Sequence, residues 1–455
     1  MVMKLFGTMR INDLGNLEIG NCDSTDLAEK YGTPLYVMDE KLIRDTCNLF
    51  NTSFRSEEIE TEVIYASKAF LTLAMCRLID EEGLSLDVVS GGELYTAIKA
   101  DFPSHKIFMH GNNKTREELT MAIKNCIGRI VVDHANELSL IHDICKELNK
   151  KISILLRVNP GIEAHTHEYI KTTKNDSKFG ISISNPDVLN MINELKDSKY
   201  VDFRGFHCHI GSQIFQEESF YEEINVMMDF IKVVSKECGV IIKELNLGGG
   251  FGVYYSNGDN PIELNSFLRN MLNKVIDKAN QLKIIYPKVM IEPGRAIVGN
   301  AGTTLYRVGS TKNTYGGKQY VFVDGSMNDN PRTSLYGAQY EAAIANRMND
   351  ADENIYTITG KCCESGDIIV KSVSLPHPNI GDLIAVSTTG AYNYSMSSNY
   401  NRLLRPPVVF VKNGESRCVV KRETYEDLIR NDIAVGGKHN ASNSTKVWRL
   451  VSSNR

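Results

Sequence analysis

No two of the ten cysteines stand in a Cys-x-x-Cys pair, which argues against a zinc ribbon or a disulfide framework. They read instead as small apolar residues in a reducing cytoplasm, the compartment expected for this chain. No apolar run approaches the roughly 18 residues that span a bilayer, so no membrane is expected as a partner. The opening Met1-Val2-Met3-Lys4-Leu5 lacks the long apolar core and small-residue cleavage site of a secretory leader. Charge of one sign is scarce as well. A net charge of -5 over 455 residues gives no reason to expect nucleic acid or an anionic surface as partner. Neither an internal repeat nor a low-complexity tail is present. What remains is an ordinary globular composition on a chain too long for one compact core, so two domains are expected.

From about residue 62 the pattern alternates between strand and helix. Strands are predicted at 62–67, 84–89, 106–109, 129–132, 152–158, 203–208, 243–247 and 288–292, with helical runs such as 71–79 and 93–98 between them. Eight such units fit a closed (β/α)8 barrel better than an open doubly wound sheet. After about residue 300 the texture becomes all-β, with short runs at 304–309, 319–323, 355–359, 367–372, 382–387 and 407–411. The first 35 residues are turn-rich and strand-like. The expected fold is therefore α/β: a barrel domain over 36–300, and a discontinuous β-rich domain made of 1–35 and 301–455.

Several strand ends carry chemistry. Lys68 closes Val63-Ile64-Tyr65-Ala66-Ser67, where a charge is costly unless paired or used. Apolar neighbours would favour its free amine, the form that attacks an aldehyde; a lysine snorkelling from a strand end is the plain alternative. His207-Cys208-His209 places two imidazoles two apart on one face. They suit core histidines, a metal pair or a ring stacked on a flat cofactor, and stacking by His209 with a structural His207 is favoured. His165 and His167 read as part of a polar loop. Gly248-Gly249-Gly250 follows an apolar strand and would let backbone N–H groups approach a phosphate, with the Ser212 hydroxyl one loop earlier. In Glu292-Pro293-Gly294-Arg295 a carboxylate could keep a pyridine nitrogen protonated; a mutual Glu–Arg pair is the alternative. Together an amine, an imidazole, a glycine loop and a carboxylate suit pyridoxal 5'-phosphate, with no metal expected. In the β-rich part Arg332 and Tyr336 stand four apart and could share one carboxylate. Cys362-Cys363-Glu364 puts a thiol beside an acid.

These segments closely resemble the diaminopimelate decarboxylases, among the fold-type III pyridoxal phosphate enzymes that include alanine racemase and ornithine decarboxylase. The most specific stretches are 65–70, 86–94, 207–213, 363–367 and 390–401. The resemblance implies that Lys68 is the Schiff-base lysine, that His209 stacks on the ring and that Glu292 meets its nitrogen. Ser212, Gly248, Gly249, Gly250, Gly294 and Arg295 would hold the phosphate side. Arg295, Arg332 and Tyr336 would bind the substrate's distal carboxylate, and Glu364 its distal amine. Cys363 would donate the proton, and Tyr392 would neighbour both cofactor and substrate. It further implies meso-diaminopimelate as substrate, L-lysine and carbon dioxide as products, and a homodimer in which Cys363 and Glu364 complete the partner's site. Cys362 adds a second thiol to that pattern. The rivals are a related decarboxylase of ornithine, arginine or carboxynorspermidine, a metal-dependent barrel hydrolase, and a catalytically silent binding homologue.

Overall fold

The computed structural model describes residues 3–162 and 177–433. His165 and His167 lie outside the described residues. Nine strands carry most of the argument, beginning with β1 (Leu35–Asp39), which precedes the barrel. The barrel strands are β2 (Thr61–Ala66), β3 (Ser85–Val88), β4 (Ile107–Met109), β5 (Arg129–Val132), β6 (Ile152–Asn159), β7 (Val201–His207), β8 (Glu244–Asn246) and β9 (Lys288–Ile291). Each is parallel to the next, and β9 pairs back onto β2 through Val289 and Thr61, which closes the ring. All eight strands expected from the alternation are present, with ends displaced by a residue or two.

Strand parity explains how the site is made. Ile64, Phe108, Val131, Leu155 and Met290 form a small apolar cluster of their own, separate from the larger core in which Val63, Tyr65, Leu86, Phe206 and Leu245 pack with the helices. Side chains alternate across a strand, so positions two residues beyond this plug share its inward face. Those positions are Ala66, His110, Asp133, Arg157 and Glu292. The apolar plug thus has a polar layer above it at the C-terminal mouth, where barrels of this type gather their chemistry.

The second unit is built on β10 (Gly302–Asn313), a long strand that pairs with β1 on one side and with 319–323 and 383–386 elsewhere along its length. β1 also lies parallel to β11 (Val408–Lys412). The boundary expected after residue 35 therefore falls inside a strand, because residues up to Asp39 pair with this sheet. The N-terminal segment contains a helix, Ser24–Tyr31, where only strand and turn were expected; the Asp23 side chain caps it by accepting from the Thr25 N–H. Leu17, Ile19 and Leu27 share a core with Leu383 and Val409, so the two ends of the chain form one hydrophobic unit. No helix among the described residues is long and apolar enough to cross a membrane.

Behind the mouth, Glu223 of the helix Glu217–Cys238 is fully buried, and burial pushes its carboxyl up to about 8 while the Cys208 thiol pulls it slightly back. A carboxyl whose folded pKa exceeds its unfolded value holds its proton longer when folded. Stability from this group is thus complete below about 4.5 and falls as pH rises towards 8. Glu223→Gln should therefore raise the thermal midpoint at pH 8 by several degrees and leave the pH 5 value almost unchanged. Thermal melts at the two pH values check this; an equal shift at both would contradict it.

Candidate active site

Lys68 lies just past β2 on the short turn Ser67–Ala69. Three contacts fix that turn. The Tyr65 hydroxyl donates to the Phe70 carbonyl at 2.7 Å, the Tyr392 N–H donates to the Ala69 carbonyl at 2.8 Å, and the Ser67 hydroxyl donates to Glu93 at 3.3 Å. Glu93 opens the helix Gly91–Lys99, which Ser90 caps, and its carboxylate also accepts the Val89 N–H at 2.7 Å. Ser67 and Ala69 are buried, whereas the Lys68 side chain is exposed to a cavity at the barrel mouth. His209, Ser212, Gly249, Gly250, Glu292, Gly294, Arg295 and Tyr392 line the same cavity.

The expectation of a neutralised lysine is not met. Burial lowers the Lys68 pKa, but Asp87, Tyr392 and Glu292 more than offset this and hold it above the ordinary lysine value. Asp87 itself is pushed up to about 6 by burial, against the pull of His110 and Lys68, and both its oxygens lack a hydrogen-bond partner. The charges that act on its amine come from residues distant in the chain, not from its apolar sequence neighbours.

Glu292 is a buried carboxylate held by three side chains. It is paired with the ring Nε2 of His110 at 2.9 Å and of His207 at 3.0 Å, and it accepts from the Asn246 amide at 2.7 Å. Burial alone would raise its pKa; the hydrogen bonds and the field of the two imidazoles bring it well below the ordinary value. Burial pushes His207 down to about 4, against the pull of Glu292. The alternative Glu292–Arg295 pair does not form among the described residues. The ligand atoms of His110, His207 and Glu292 lie within 4.8 Å of one another, which supplies the third group that the metal reading of His207 lacked. The His207 hydrogen bond and the close approach of His110 to the same carboxylate already account for the arrangement. His209 instead lines the cavity, and burial together with Lys68 and Arg157 drives its pKa well down. A neutral flat ring is what stacking on a pyridine requires.

On the opposite side, Arg295 donates to Ser212 Oγ at 2.9 Å and to the Tyr255 hydroxyl at 2.7 Å. Arg332, from the short helix Arg332–Tyr336, donates to the same hydroxyl at 3.1 Å and lies 5.9 Å from the Tyr336 ring. Both guanidiniums are buried, both leave Nε without a partner, and neither forms an ion pair among the described residues. Two buried cations without a counter-ion mark a place for an anion. Of the three glycines, Gly249 and Gly250 line the cavity, Gly249 with its N–H on His209 Nδ1 at 3.2 Å; Gly248 does not line it, and its N–H is taken by Asn246 Oδ1 at 2.9 Å. It serves the turn instead, since its φ of +65° places it in the left-handed region and an added Cβ would stand 2.5 Å from the Cys208 carbonyl. Tyr392 adopts a φ of +61° and carries its ring 4.7 Å from the Arg295 guanidinium. A non-glycine residue in that region is strained, and such strain gathers at functional sites.

Cys363 and Glu364 are not brought to this cavity. Both are exposed, and the Cys363 N–H is held by Asn401 Oδ1 at 2.8 Å. Cys362 is turned inward, with its thiol on Asn328 Oδ1 at 3.0 Å. Tyr255, His110, Asn246 and Asp87 were not assigned roles from the sequence.

A family model described as pyridoxal-dependent decarboxylase, pyridoxal binding domain, matches residues 40–299. Diaminopimelate decarboxylase of Bacillus subtilis is 51% identical over 95% of this chain and 98% of its own length. The chain belongs to the diaminopimelate decarboxylase family. The Staphylococcus aureus diaminopimelate decarboxylase is 43% identical over 93% of this chain and 99% of its own. Among solved structures, the M. jannaschii diaminopimelate decarboxylase in complex with L-lysine aligns with a TM-score of 0.88 at 36% identity, covering 94% of this chain and 98% of that one. The Helicobacter pylori diaminopimelate decarboxylase with L-lysine gives 0.81 at 30% identity, covering 90% and 98%. These family members share the barrel and the β-rich unit described above.

The cavity fits the cofactor of the family. One amine, one neutral imidazole, one ionised carboxylate, a glycine-lined wall and a buried guanidinium converge on it. That set matches an aldehyde, a ring face, a ring nitrogen and a phosphate.

Proposed function

We propose that this chain decarboxylates meso-diaminopimelate to L-lysine and carbon dioxide using pyridoxal 5'-phosphate, with Lys68 as the residue that bonds the cofactor. The observation that carries this reading is the single cavity in which Lys68, the hydrogen-bonded Glu292 and a buried arginine meet. When bound, the cofactor supplies an electron sink for the bond pair released as the carboxylate departs. Glu292, kept ionised by His110, His207 and Asn246, holds a proton on the pyridine nitrogen. His209 packs its neutral ring against the cofactor's face. Ser212, Gly249, Gly250, Gly294 and Arg295 hold the phosphate side, and Gly248 shapes the turn that presents them. Arg295, Arg332, Tyr336 and Tyr392 bind the substrate, the arginines taking its distal carboxylate. The carbon–carbon bond to the leaving carboxylate breaks, carbon dioxide departs, and the carbon left behind takes a proton from the thiol of the partner subunit's Cys363. The partner subunit's Glu364 pairs with the distal ammonium.

This places the active sites of a homodimer at its interface, in keeping with the exposed position of Cys363 and Glu364 away from their own Lys68. We likewise assign a barrel domain to 40–300, a discontinuous β domain to 1–39 and 301–455, and a cytoplasmic location. A substrate lacking the distal carboxylate would leave two buried guanidiniums unpaired, which disfavours ornithine or a diamine end. Incubation of the purified protein with pyridoxal phosphate and meso-diaminopimelate should release carbon dioxide and L-lysine in equal amounts. Release from ornithine but not from meso-diaminopimelate would overturn the assignment.

A further inference from the structure

Tyr255 is the point at which two parts of the site are joined. It lies in the loop after β8, is buried, and has its N–H held by Asp259 at 2.9 Å. Its ring stands edge-on to Tyr340 with centroids 5.5 Å apart and planes at 81°. Arg295 reaches it from the end of β9, and Arg332 from the β-rich unit. Each donates Nη1–H to the one phenol oxygen, at 2.7 and 3.1 Å. That oxygen has two acceptor sites, and both are filled. Two guanidiniums this close repel, and no carboxylate among the described residues separates them. Arg295 also spends Nη2 on Ser212. The buried Nε groups of both arginines are left without partners. The Tyr392 ring lies beside both cations, at 4.7 and 5.7 Å, and limits their swing.

We propose that Tyr255 is a positioning residue that sets the spacing of Arg295 and Arg332, so that their unpartnered edges receive one carboxylate of the substrate together. The inference rests on the decarboxylase reading and deepens it, because it names the element that selects an amino-acid end over a bare amine end. Without the shared acceptor the two cations move apart and the bidentate fit is lost, while Lys68, Glu292 and His209 keep their own contacts.

Tyr255→Phe removes only the hydroxyl. Steady-state kinetics of the holoenzyme should show KM for meso-diaminopimelate raised roughly tenfold or more, with kcat within about threefold of wild type. Inhibition by L-lysine, which retains the distal carboxylate, should weaken by a similar factor. Inhibition by cadaverine, which has no carboxylate, should be unchanged. Unaltered KM and unaltered lysine inhibition would overturn the proposal. So would a parallel loss for lysine and cadaverine, or loss of bound cofactor, since the hydroxyl would then serve the fold or the cofactor. A wild-type enzyme that releases no carbon dioxide from meso-diaminopimelate overturns the decarboxylase reading itself.

Discussion

Lys68→Ala should lower the decarboxylation rate by about 10³-fold or more, because the variant loses the amine that bonds the cofactor. The visible absorbance that marks the lysine–cofactor bond should vanish with it. The protein should still fold, because the turn around Lys68 is held by Tyr65, Tyr392, Ser67 and Glu93, and not by the amine. Mixing adds a second readout. Lys68→Ala and Cys363→Ala are each inactive alone. If subunits of a two-fold dimer exchange at random, about a quarter of the sites regain both groups. Recovery of activity in the mixture checks the shared site; two variants that stay silent when mixed would place both residues in one protomer's site. A Lys68→Ala enzyme with near-normal turnover would remove the cofactor assignment altogether.

Glu292→Gln is the second change with a large expected effect. The amide keeps the size of the side chain, and it can still meet His110, His207 and Asn246 with some reorientation. It cannot hold a proton on the ring nitrogen by charge. The electron sink weakens at the moment the bond pair arrives, so kcat should fall by about 10²-fold or more while KM changes little. Cofactor content should stay near that of wild type, since Lys68 and the phosphate contacts are untouched. Steady-state kinetics combined with cofactor absorbance checks this. A fall in KM-dependent rate alone, with kcat preserved, would show that Glu292 serves binding and not the chemical step.

Much of this site was written into strand ends. The barrel was legible because eight apolar runs recur with helical stretches between them, and the pleat then carries every second residue inward. Lys68, His209 and Glu292 were found because a charged or aromatic polar group at a buried strand tip is costly unless paired or used, and three such groups end strands of one barrel. The same counting would have reached His110, two residues past Phe108 of the apolar plug, and Arg157, two past Leu155. The signal for His110 is faint, because β4 is only three residues long. Asn246 lies two residues before the glycine run, and its role depends on a carboxylate that follows the neighbouring strand. Tyr255 had no sequence signal. It stands beside Tyr254 in a loop, and its importance comes from arginines 40 and 77 residues away.

Two expectations failed, for different physical reasons. Gly248 was read as part of a phosphate cradle, yet its N–H is claimed by Asn246, only two residues earlier. Lys68 was read from its chain neighbours as an amine freed by apolar surroundings, yet the groups that set its charge are Asp87, Tyr392 and Glu292, all distant in the chain. There local sequence describes what a residue follows, and the barrel decides what it faces. Cys362 and Cys363 show the converse. Adjacent in the chain, one thiol turns into the core towards Asn328 and the other is exposed, which leaves Cys363 as the thiol able to reach a second subunit.

The central claim is that the Lys68 amine bonds the cofactor in the cavity it shares with Glu292. Borohydride reduction of the holoenzyme, followed by digestion and mass mapping, tests it directly. The account predicts a single phosphopyridoxyl adduct on the peptide that contains Lys68, absent from Lys68→Ala. An adduct on another lysine, or none on a protein that decarboxylates meso-diaminopimelate, would contradict it.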